Sequence, residues 1–397
     1  MKIVFIGLVN SLTLIEQQLH EKVYTEYAAD TFQRALLDGF RSNSCEVDLI
    51  TAPSITSYPK YSKFIQRGFY IEEKGKESIS GDSLGFVNLP VIKLICKLIN
   101  LSVSLLKRDL SNRPIVMYGV TSFQLLAVTI FARRNKKYLI VPDLPEFMSG
   151  SRNPIYRLLK SFDRYIINRT LIHIDGFVLL SNAMAMPMKV GNKPRVLVEG
   201  IYSQQKPIQR NEMVATKNEK VVLYTGTIEE RYGLRDLFDA FTQIEGEEYR
   251  LWICGGGETD MINEYICKDR RIIYFGTLPR ERVLEMQRDA TLLVNPRHRN
   301  EEFTKYSFPS KTMEYMASGT PTLMCKLESI PEEYNKHLFF FEDESVAGMS
   351  NRIKELLDAP SEEMMKFGEL ASRFILENKN AKEQTRRILE MIENIHQ

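Results

Sequence analysis

The chain has 397 residues, of which 44% are hydrophobic and 26% charged, and its 53 Lys+Arg against 51 Asp+Glu leave a formal net charge of +2. This composition excludes a disordered, collagenous or disulfide-stapled chain, and at about 150 residues per domain the length suggests two or three domains. The small net charge argues against a dedicated duplex-DNA binder, yet it is a cancellation: residues 1–200 carry 26 basic and 17 acidic side chains, and residues 201–397 carry 27 and 34, so the halves are expected to face different partners.

Met1-Lys2-Ile3-Val4-Phe5-Ile6-Gly7 reads as a first β-strand, since polar Asn10 and Ser11 cut it short of a signal peptide. Further short apolar runs follow at Val47–Thr51, Ile115–Val120, Tyr138–Val141, Gly176–Leu180 and Arg195–Val198. The second half repeats the pattern at Val221–Thr225, Arg250–Cys254, Arg271–Phe275, Thr291–Asn295, Thr320–Met324 and Leu338–Phe341. Helical patterns lie between them, such as Leu234/Leu237/Phe238/Phe241. Strands separated by helices predict an α/β architecture of two doubly wound parallel-sheet domains facing across a cleft, with ligands at the carboxyl ends of the strands. The boundaries read as an N-terminal domain over 1–200, a polar linker over 201–220 and a second domain over 221–378. An amphipathic helix over 379–397 is expected to return to the first domain.

Two segments bear on a membrane. Pro114–Ala132 is uncharged and near spanning length, but Gly119, Thr121, Ser122 and Gln124 divide it into a strand and a helix. Phe86–Arg108 interleaves Leu, Ile and Val with Lys93, Lys97, Lys107 and Arg108, which suits either a helix lying on an anionic membrane surface or an ordinary surface helix with snorkelling lysines. The five cysteines form no CxxC pair and their number is odd, and Cys254, in the apolar run Leu251–Cys254, reads as a buried inert thiol, which together fit a reducing cytosol.

The most informative chemistry lies between Asn295 and Pro321. A strand ends at Asn295-Pro296, and a helix starts near Pro309-Ser310, where Pro suits the first turn and Ser can cap; Gly319 and Pro321 end it. Such a helix start offers unpaired N–H groups to a phosphate, and Lys311 adds a full charge. Glu314, one turn deeper, would be repelled by phosphate, so it suits ribose hydroxyls beyond it. Gly226-Thr227 with Arg231, Gly255-Gly256-Gly257-Glu258 and Gly276-Thr277-Leu278-Pro279 are further strand-end loops able to meet a diphosphate or a base.

Taken in order, Gly226…Arg231-Tyr232-Gly233, Gly255-Gly256-Gly257-Glu258, Gly276-Thr277-Leu278-Pro279, Asp289…Asn295-Pro296-Arg297 and Ser307-Phe308-Pro309-Ser310-Lys311…Glu314-Tyr315-Met316-Ala317-Ser318-Gly319-Thr320-Pro321 resemble family 4 retaining glycosyltransferases, most of all their bacterial surface-polysaccharide members. The resemblance is specific over about 220–335 and only topological over 1–200. It implies two Rossmann-like domains in the GT-B arrangement. It further implies a nucleotide diphosphate sugar held by Gly7, Gly226, Thr227, Arg231, Leu278, Arg297, Tyr306, Ser310, Lys311, Thr312 and Glu314. Two departures stand out: Tyr306 occupies the place of the family's upstream Glu, with Glu301 and Glu302 shortly before it, and Thr227 stands where many members have Arg.

On the acceptor side, Tyr138–Val141 ends in Pro142-Asp143, leaving Asp143 as the ionisable strand-end group that could orient or deprotonate an acceptor hydroxyl; a turn-forming role is the other reading. No D-x-D occurs and none of the five histidines has metal-ligand spacing, so cations and a helix dipole are expected to stabilise the leaving diphosphate without a metal or other cofactor. The expected activity is hexosyl transfer, with Asp143 and Glu314 as the catalytic candidates. The expected acceptor is a growing glycan or a polyprenyl-linked oligosaccharide at the inner face of the cell membrane; nucleic acid is not expected as a partner. A nucleotide-sugar epimerase or hydrolase of similar shape, or a non-catalytic nucleotide-sugar binder, are the competing readings.

Overall fold

The computed structural model describes residues 1–23, 26–73, 79–145, 154–203, 219–299 and 302–396. The chain forms two compact units: Met1–Ile201 together with Ala381–Gln397, and Tyr202–Asn380. Most of the 201–220 linker lies outside the described residues.

The first unit runs β1 (Lys2–Gly7), α1 (Leu12–His20), α2 (Tyr27–Ser42), β2 (Glu46–Thr51), β3 (Ile65–Gln66), β4 (Phe69–Glu73), β5 (Ile79–Ser83), β6 (Phe86–Val87), α3 (Ile92–Leu106), β7 (Ile115–Tyr118), α4 (Ser122–Phe131), β8 (Lys137–Val141), α5 (Pro154–Thr170), β9 (Gly176–Leu179) and β10 (Arg195–Leu197). Its main sheet has the order β10-β9-β8-β7-β1-β2-β5-β4. Ile3, Val4, Phe5 and Ile6 are fully buried in β1, as a strand covered by helices on both faces must be. All pairings in this sheet are parallel except β4 with β5, and β3 and β6 form a separate antiparallel pair. These four strands form no continuous apolar run: exposed Phe69 and Tyr70, and Ser80, Gly81 and Asp82, break the pattern. Pro114–Ala132 became β7 and α4, as its polar residues suggested.

Side chains of α2 hold the loop that leaves β1. The Leu8 N–H donates to Gln33 Oε1 at 2.7 Å, the Asn10 N–H donates to Asp30 Oδ1 at 2.8 Å, and Arg34 donates to the Asn10 carbonyl at 2.6 Å. Arg34 is itself paired with Asp30 at 2.6 Å and Glu73 at 2.8 Å. Burial alone would lower the guanidinium's pKa, but the two carboxylates outweigh it and raise the value.

The second unit runs β11 (Lys220–Thr225), α6 (Leu234–Thr242), β12 (Tyr249–Cys254), α7 (Thr259–Lys268), β13 (Ile272–Tyr274), α8 (Arg280–Asp289), β14 (Leu292–Asn295), α9 (Ser310–Ser318), β15 (Thr322–Cys325), β16 (Phe339–Phe341), α10 (Val346–Asp358) and α11 (Ser361–Asn378). Its six-stranded sheet has the order β13-β12-β11-β14-β15-β16 and is parallel throughout. Chain direction across the sheet reverses between β11 and β14, and such a switch point opens a crevice at the carboxyl ends of the strands.

The last helix, α12 (Ala381–His396), belongs to the first unit. Ile388 and Ile392 are fully buried and share a core with Phe40, Tyr138 and Val178. At Gly39 of α2 an added Cβ would stand 2.2 Å from the Ala381 carbonyl oxygen, so the two helices meet where no side chain fits. Ile388→Ala should cost about 2–5 kcal/mol. In urea, the far-UV CD transition should move to lower concentration while the fluorescence of Trp252, the sole tryptophan and part of β12, keeps its midpoint.

The lysines of α3 differ from expectation. Lys97 is buried, and its amine donates to the carbonyls of Ala52 at 3.2 Å and Pro53 at 2.7 Å. Burial, aided by Lys93, pulls its pKa down to about 7. Lys93 donates to the Ile55 carbonyl at 2.8 Å. Neither amine is offered to a lipid surface, because the carbonyls after β2 need donors and these stems reach them. Among the described residues no helix is long and apolar enough to cross a membrane.

Candidate nucleotide-sugar site

The carboxyl ends of β11, β12 and β14 open into a cavity of about 440 Å³ at the switch point of the second unit. Gly226 and Thr227 line it from β11, Gly255 and Gly256 from β12, Thr277 and Leu278 from the loop before α8, Asn295 and Arg297 from the end of β14, and Ser310 and Lys311 from the start of α9. The expected strand-end loops thus meet in one place.

Glycines bring the loops this close. At Gly255, φ is 149° and an added Cβ would lie 1.8 Å from the Gly226 carbonyl oxygen, so the β11 and β12 exits touch through backbone. At Gly233, φ is 76° and a Cβ would lie 2.1 Å from the Pro296 carbonyl oxygen. The Gly255–Gly257 run is therefore largely a device for strand-end packing.

The helix α9 takes its place through Tyr315, whose hydroxyl accepts the Thr225 N–H at 2.7 Å and donates to the Thr225 carbonyl at 2.9 Å. Tyr315 is 1% exposed, and burial pushes its phenol well above the ordinary value. This contact sets the first turn of α9 on the cavity wall. Ser310 is the first helical residue and Pro309 precedes it; no side-chain capping bond forms, so Ser310 does not cap as expected. The Thr312 N–H is met by the Pro309 carbonyl, and the fixed φ of proline presets the chain for entry into the helix.

Glu314 lies one turn deeper and is not itself a lining residue of the cavity; its side chain is 12% exposed. Its Oε1 accepts from Lys311 Nζ at 2.8 Å and from Gln287 Nε2 at 2.9 Å, and its Oε2 accepts from Arg280 at 3.3 Å. Burial would raise its pKa, but Lys311, Gln287 and Arg280 outweigh that and hold it below the ordinary 4.5. Gln287, fully buried on α8, also donates to Thr225 Oγ1 at 3.3 Å and accepts at its carbonyl from Thr320 at 2.6 Å. No motif had marked it.

The other expected residues divide. Arg297 lines the cavity with its guanidinium 4.6 Å above the Tyr232 ring, and burial lowers its pKa. Arg231 does not line it: the side chain is 56% exposed, ion-paired with Glu229 and bonded to the Tyr232 hydroxyl at 3.3 Å. The cations of the cavity wall are thus Arg297 and Lys311, correcting the emphasis on Arg231. Thr312 turns away, fully buried with its hydroxyl 3.7 Å from the Met324 sulfur and its N–H donated to Pro309 at 2.8 Å. One residue further round the helix from Lys311, it falls on the core side. Tyr306 is half-buried after a 3-10 turn (Glu302–Lys305) and is not a lining residue; Glu301 lies outside the described residues. In the first unit, Gly7 is buried at the end of β1, and Asp143 is exposed with Oδ1 accepting the Leu144 N–H at 2.8 Å. Tyr224, Tyr232, Cys254 and Tyr315 also line the cavity; sequence reasoning assigned them no binding role of their own, because an aromatic or thiol side chain serves a core and a cavity wall alike.

Among the described residues, His298, Cys325 and Glu344 bring possible metal-ligand atoms within 4.8 Å of one another. His298 is already engaged by Asp236 at 2.7 Å and Glu344 at 3.4 Å, and Arg299 meets Glu344 at 2.9 Å. Burial pushes the Cys325 thiol up, away from the thiolate a metal needs. The group is accounted for as a charge network anchoring the loop after β14.

Residues 205–374 match the family model of glycosyl transferases group 1. No curated relative matches the chain by sequence. Solved structures share the fold across its whole length. Sucrose-phosphate synthase from Thermosynechococcus elongatus aligns at 13% identity and a TM-score of 0.64, covering 100% of this chain and 99% of that one. The lipopolysaccharide outer core galactosyltransferase WaaB, in its apo form, aligns at 14% identity and 0.61, covering 99% of each. Anabaena Alr3699/HepE in complex with UDP aligns at 13% identity and 0.61, covering 99% of this chain and 100% of that one. The fold is GT-B, and the domain match supports a glycosyltransferase.

The Glu314 carboxylate yields a pH prediction. A folded-state pKa below the unfolded value contributes stability that is complete above the unfolded pKa and is lost as pH falls through the folded one. Urea midpoints followed by Trp252 should therefore drop below about pH 4.5 more steeply in the wild type than in Glu314→Gln. Tyr315→Phe strands the buried Thr225 N–H and should cost about 1–3 kcal/mol by the same measurement.

Proposed function

We propose that the protein is a retaining glycosyltransferase that moves a hexose from a nucleotide diphosphate sugar to a growing glycan or lipid-linked oligosaccharide in bacterial surface-polysaccharide synthesis. One observation carries the reading: the start of α9, Lys311 and Arg297 line one cavity at the switch point, with Glu314 fixed one turn below. The helix start and the two cations suit a diphosphate, the Thr277-Leu278 edge suits the base, and Glu314 suits the ribose hydroxyls.

Lys311 and Glu314 are bonded to each other. A diphosphate at the helix start would draw the Lys311 ammonium outward, and Glu314 Oε1 would then be open to a ribose hydroxyl while Gln287 holds the carboxylate in place. In the transfer, the bond between the sugar's anomeric carbon and the diphosphate oxygen breaks, a bond to the acceptor oxygen forms with the same anomeric configuration, and the acceptor hydroxyl's proton passes to the leaving diphosphate or to the Asp143 carboxylate. The negative charge left on the diphosphate is met by Lys311, Arg297 and the α9 dipole, which gives the site a route to leaving-group stabilisation through its own groups. Asp143, exposed at the end of β8, is assigned to the acceptor hydroxyl, and Gly7 to the loop that lets a ligand approach β1.

A panel of nucleotide sugars screened by thermal shift identifies the donor, since a bound ligand raises apparent stability by mass action. Lys311→Ala and Arg297→Ala should each weaken the nucleoside diphosphate by on the order of tenfold or more, and Glu314→Ala should weaken the nucleoside as well as the diphosphate. Unchanged donor affinity and turnover in a folded Lys311→Ala/Glu314→Ala protein would overturn the assignment.

A further inference from the structure

The first unit exposes apolar surface that its fold does not use. In α5, Ile167 and Thr170 are buried, whereas Ile155, Leu158, Phe162 and Tyr165 are 69%, 71%, 62% and 56% exposed. Their spacing of three, four and three puts them on one face of the helix. Along α3, Ile92, Ile95, Ile99 and Leu106 are 44%, 52%, 55% and 66% exposed and form a second ridge. With the Lys93 and Lys97 amines turned inward, that ridge is apolar. Helix α4 packs against α3 on one side and α5 on the other, and its Ile130 is 55% exposed. Soluble proteins rarely present contiguous apolar surface on neighbouring helices unless something covers it.

Charge indicates what covers it. Helix α5 carries Arg157, Lys160, Arg164 and Arg169 against a single acidic residue, Asp163. Arg157 and Arg164, seven residues apart, follow one line beside the apolar face. Arg169 lies 5.4 Å from the Tyr165 ring and Lys160 5.9 Å from the Tyr156 ring, pairing long cationic stems with amphipathic aromatics. At the end of α4, Arg133 and Arg134 line a cavity of about 810 Å³ whose rim includes Ile130 and Ile172; its Lys136 is paired with Asp175 at 3.2 Å and its Lys193 donates to the Ile172 and Ile174 carbonyls. The unit as a whole holds 29 basic and 20 acidic side chains. A second copy on this face would bring two basic rims together, whereas an anionic bilayer supplies both the apolar phase and the opposite charge.

We propose that the face formed by α3, α4 and α5 docks on an anionic lipid bilayer, with the apolar side of α5 entering the interface and its arginines among the headgroups. This places the bilayer contact on α5 rather than on lysines of α3. Helix α5 begins 11 residues after Asp143, on the connection that leaves the carboxyl end of β8, so docking holds the assigned acceptor end of the first unit beside the bilayer. Docking stands on exposure and charge; only its link to a lipid-borne acceptor rests on the function proposed above.

Co-sedimentation of the full chain with vesicles of phosphatidylglycerol and phosphatidylcholine in equal parts tests the proposal. The wild type should pellet at low salt and bind pure phosphatidylcholine far more weakly. Leu158→Glu/Phe162→Glu should lower partitioning by on the order of a hundredfold, and Arg157→Glu/Arg164→Glu by on the order of thirtyfold for the anionic vesicles. Phe162→Trp supplies a direct reporter whose emission should shift to the blue on vesicle addition, while buried Trp252 stays constant. Wild-type protein that stays in the supernatant, or glutamate variants that pellet like wild type, would overturn it. So would a wild-type dimer that Leu158→Glu/Phe162→Glu converts to monomer with no vesicle binding, which would assign the face to a second copy. The nucleotide thermal shift of each variant reports the donor site separately, so failure of docking and failure of the catalytic reading are distinguishable.

Discussion

A single phenol joins the two halves of the candidate site. Through Tyr315, the N–H and carbonyl of Thr225 at the end of β11 are tied to the side of α9, with the bonds inside protein where no water competes. Everything else about the cavity follows from that registration. The helix start falls at the exit of β11, Lys311 falls on the rim, and Glu314, one residue before Tyr315, lies behind it, bonded to Lys311 and Gln287. Gln287 closes the arrangement by touching both Thr225 and Glu314 from α8. Three elements distant in sequence therefore share one small polar network, and the carboxylate at its centre is ionised because of its donors and in spite of its burial.

The electrostatics are local by necessity. The chain beyond residue 200 is acidic, carrying 34 acidic against 27 basic side chains, so its long-range field does not favour an anionic ligand. At a Debye length of about 8 Å in physiological salt, that field is largely screened beyond the cavity mouth. Within the cavity the balance changes sign, because Arg297 sits over Tyr232 in a desolvated position and Lys311 stands at a helix start. Arg231 shows the contrast: its charge is real, but Glu229 already neutralises it in the open.

Much of this was legible in the sequence. All of the apolar runs recognised there became strands, because parallel strands buried on both faces leave an uninterrupted signature, and the α9 segment announced itself through Pro309, Ser310 and Gly319. What escaped were elements whose burial is one-sided or whose partners are remote. The β3–β6 region is polar, glycine-containing and partly exposed. Gln287 is a lone amide on a charged helix, and only the packing of α8 against α9 and β11 gives it meaning. Thr312 was misplaced because adjacency to Lys311 in sequence is a turn of about 100° on a helix, enough to send it into the core. Lys93 and Lys97 were misread for a related reason: spacing reveals which residues share a face, but not which face is inside.

Helix α12 bears on the order of synthesis. The segment Tyr202–Asn380 is continuous, so its sheet needs nothing from the residues synthesised after it. The first unit does need them: the wall that covers Phe40, Tyr138 and Val178 is supplied by Ile388 and Ile392. Domains commonly fold from the amino terminus as they emerge. Here the domain begun first needs a segment made after the second one, and its nascent sheet keeps one apolar face incompletely covered until Ile388 and Ile392 have been made.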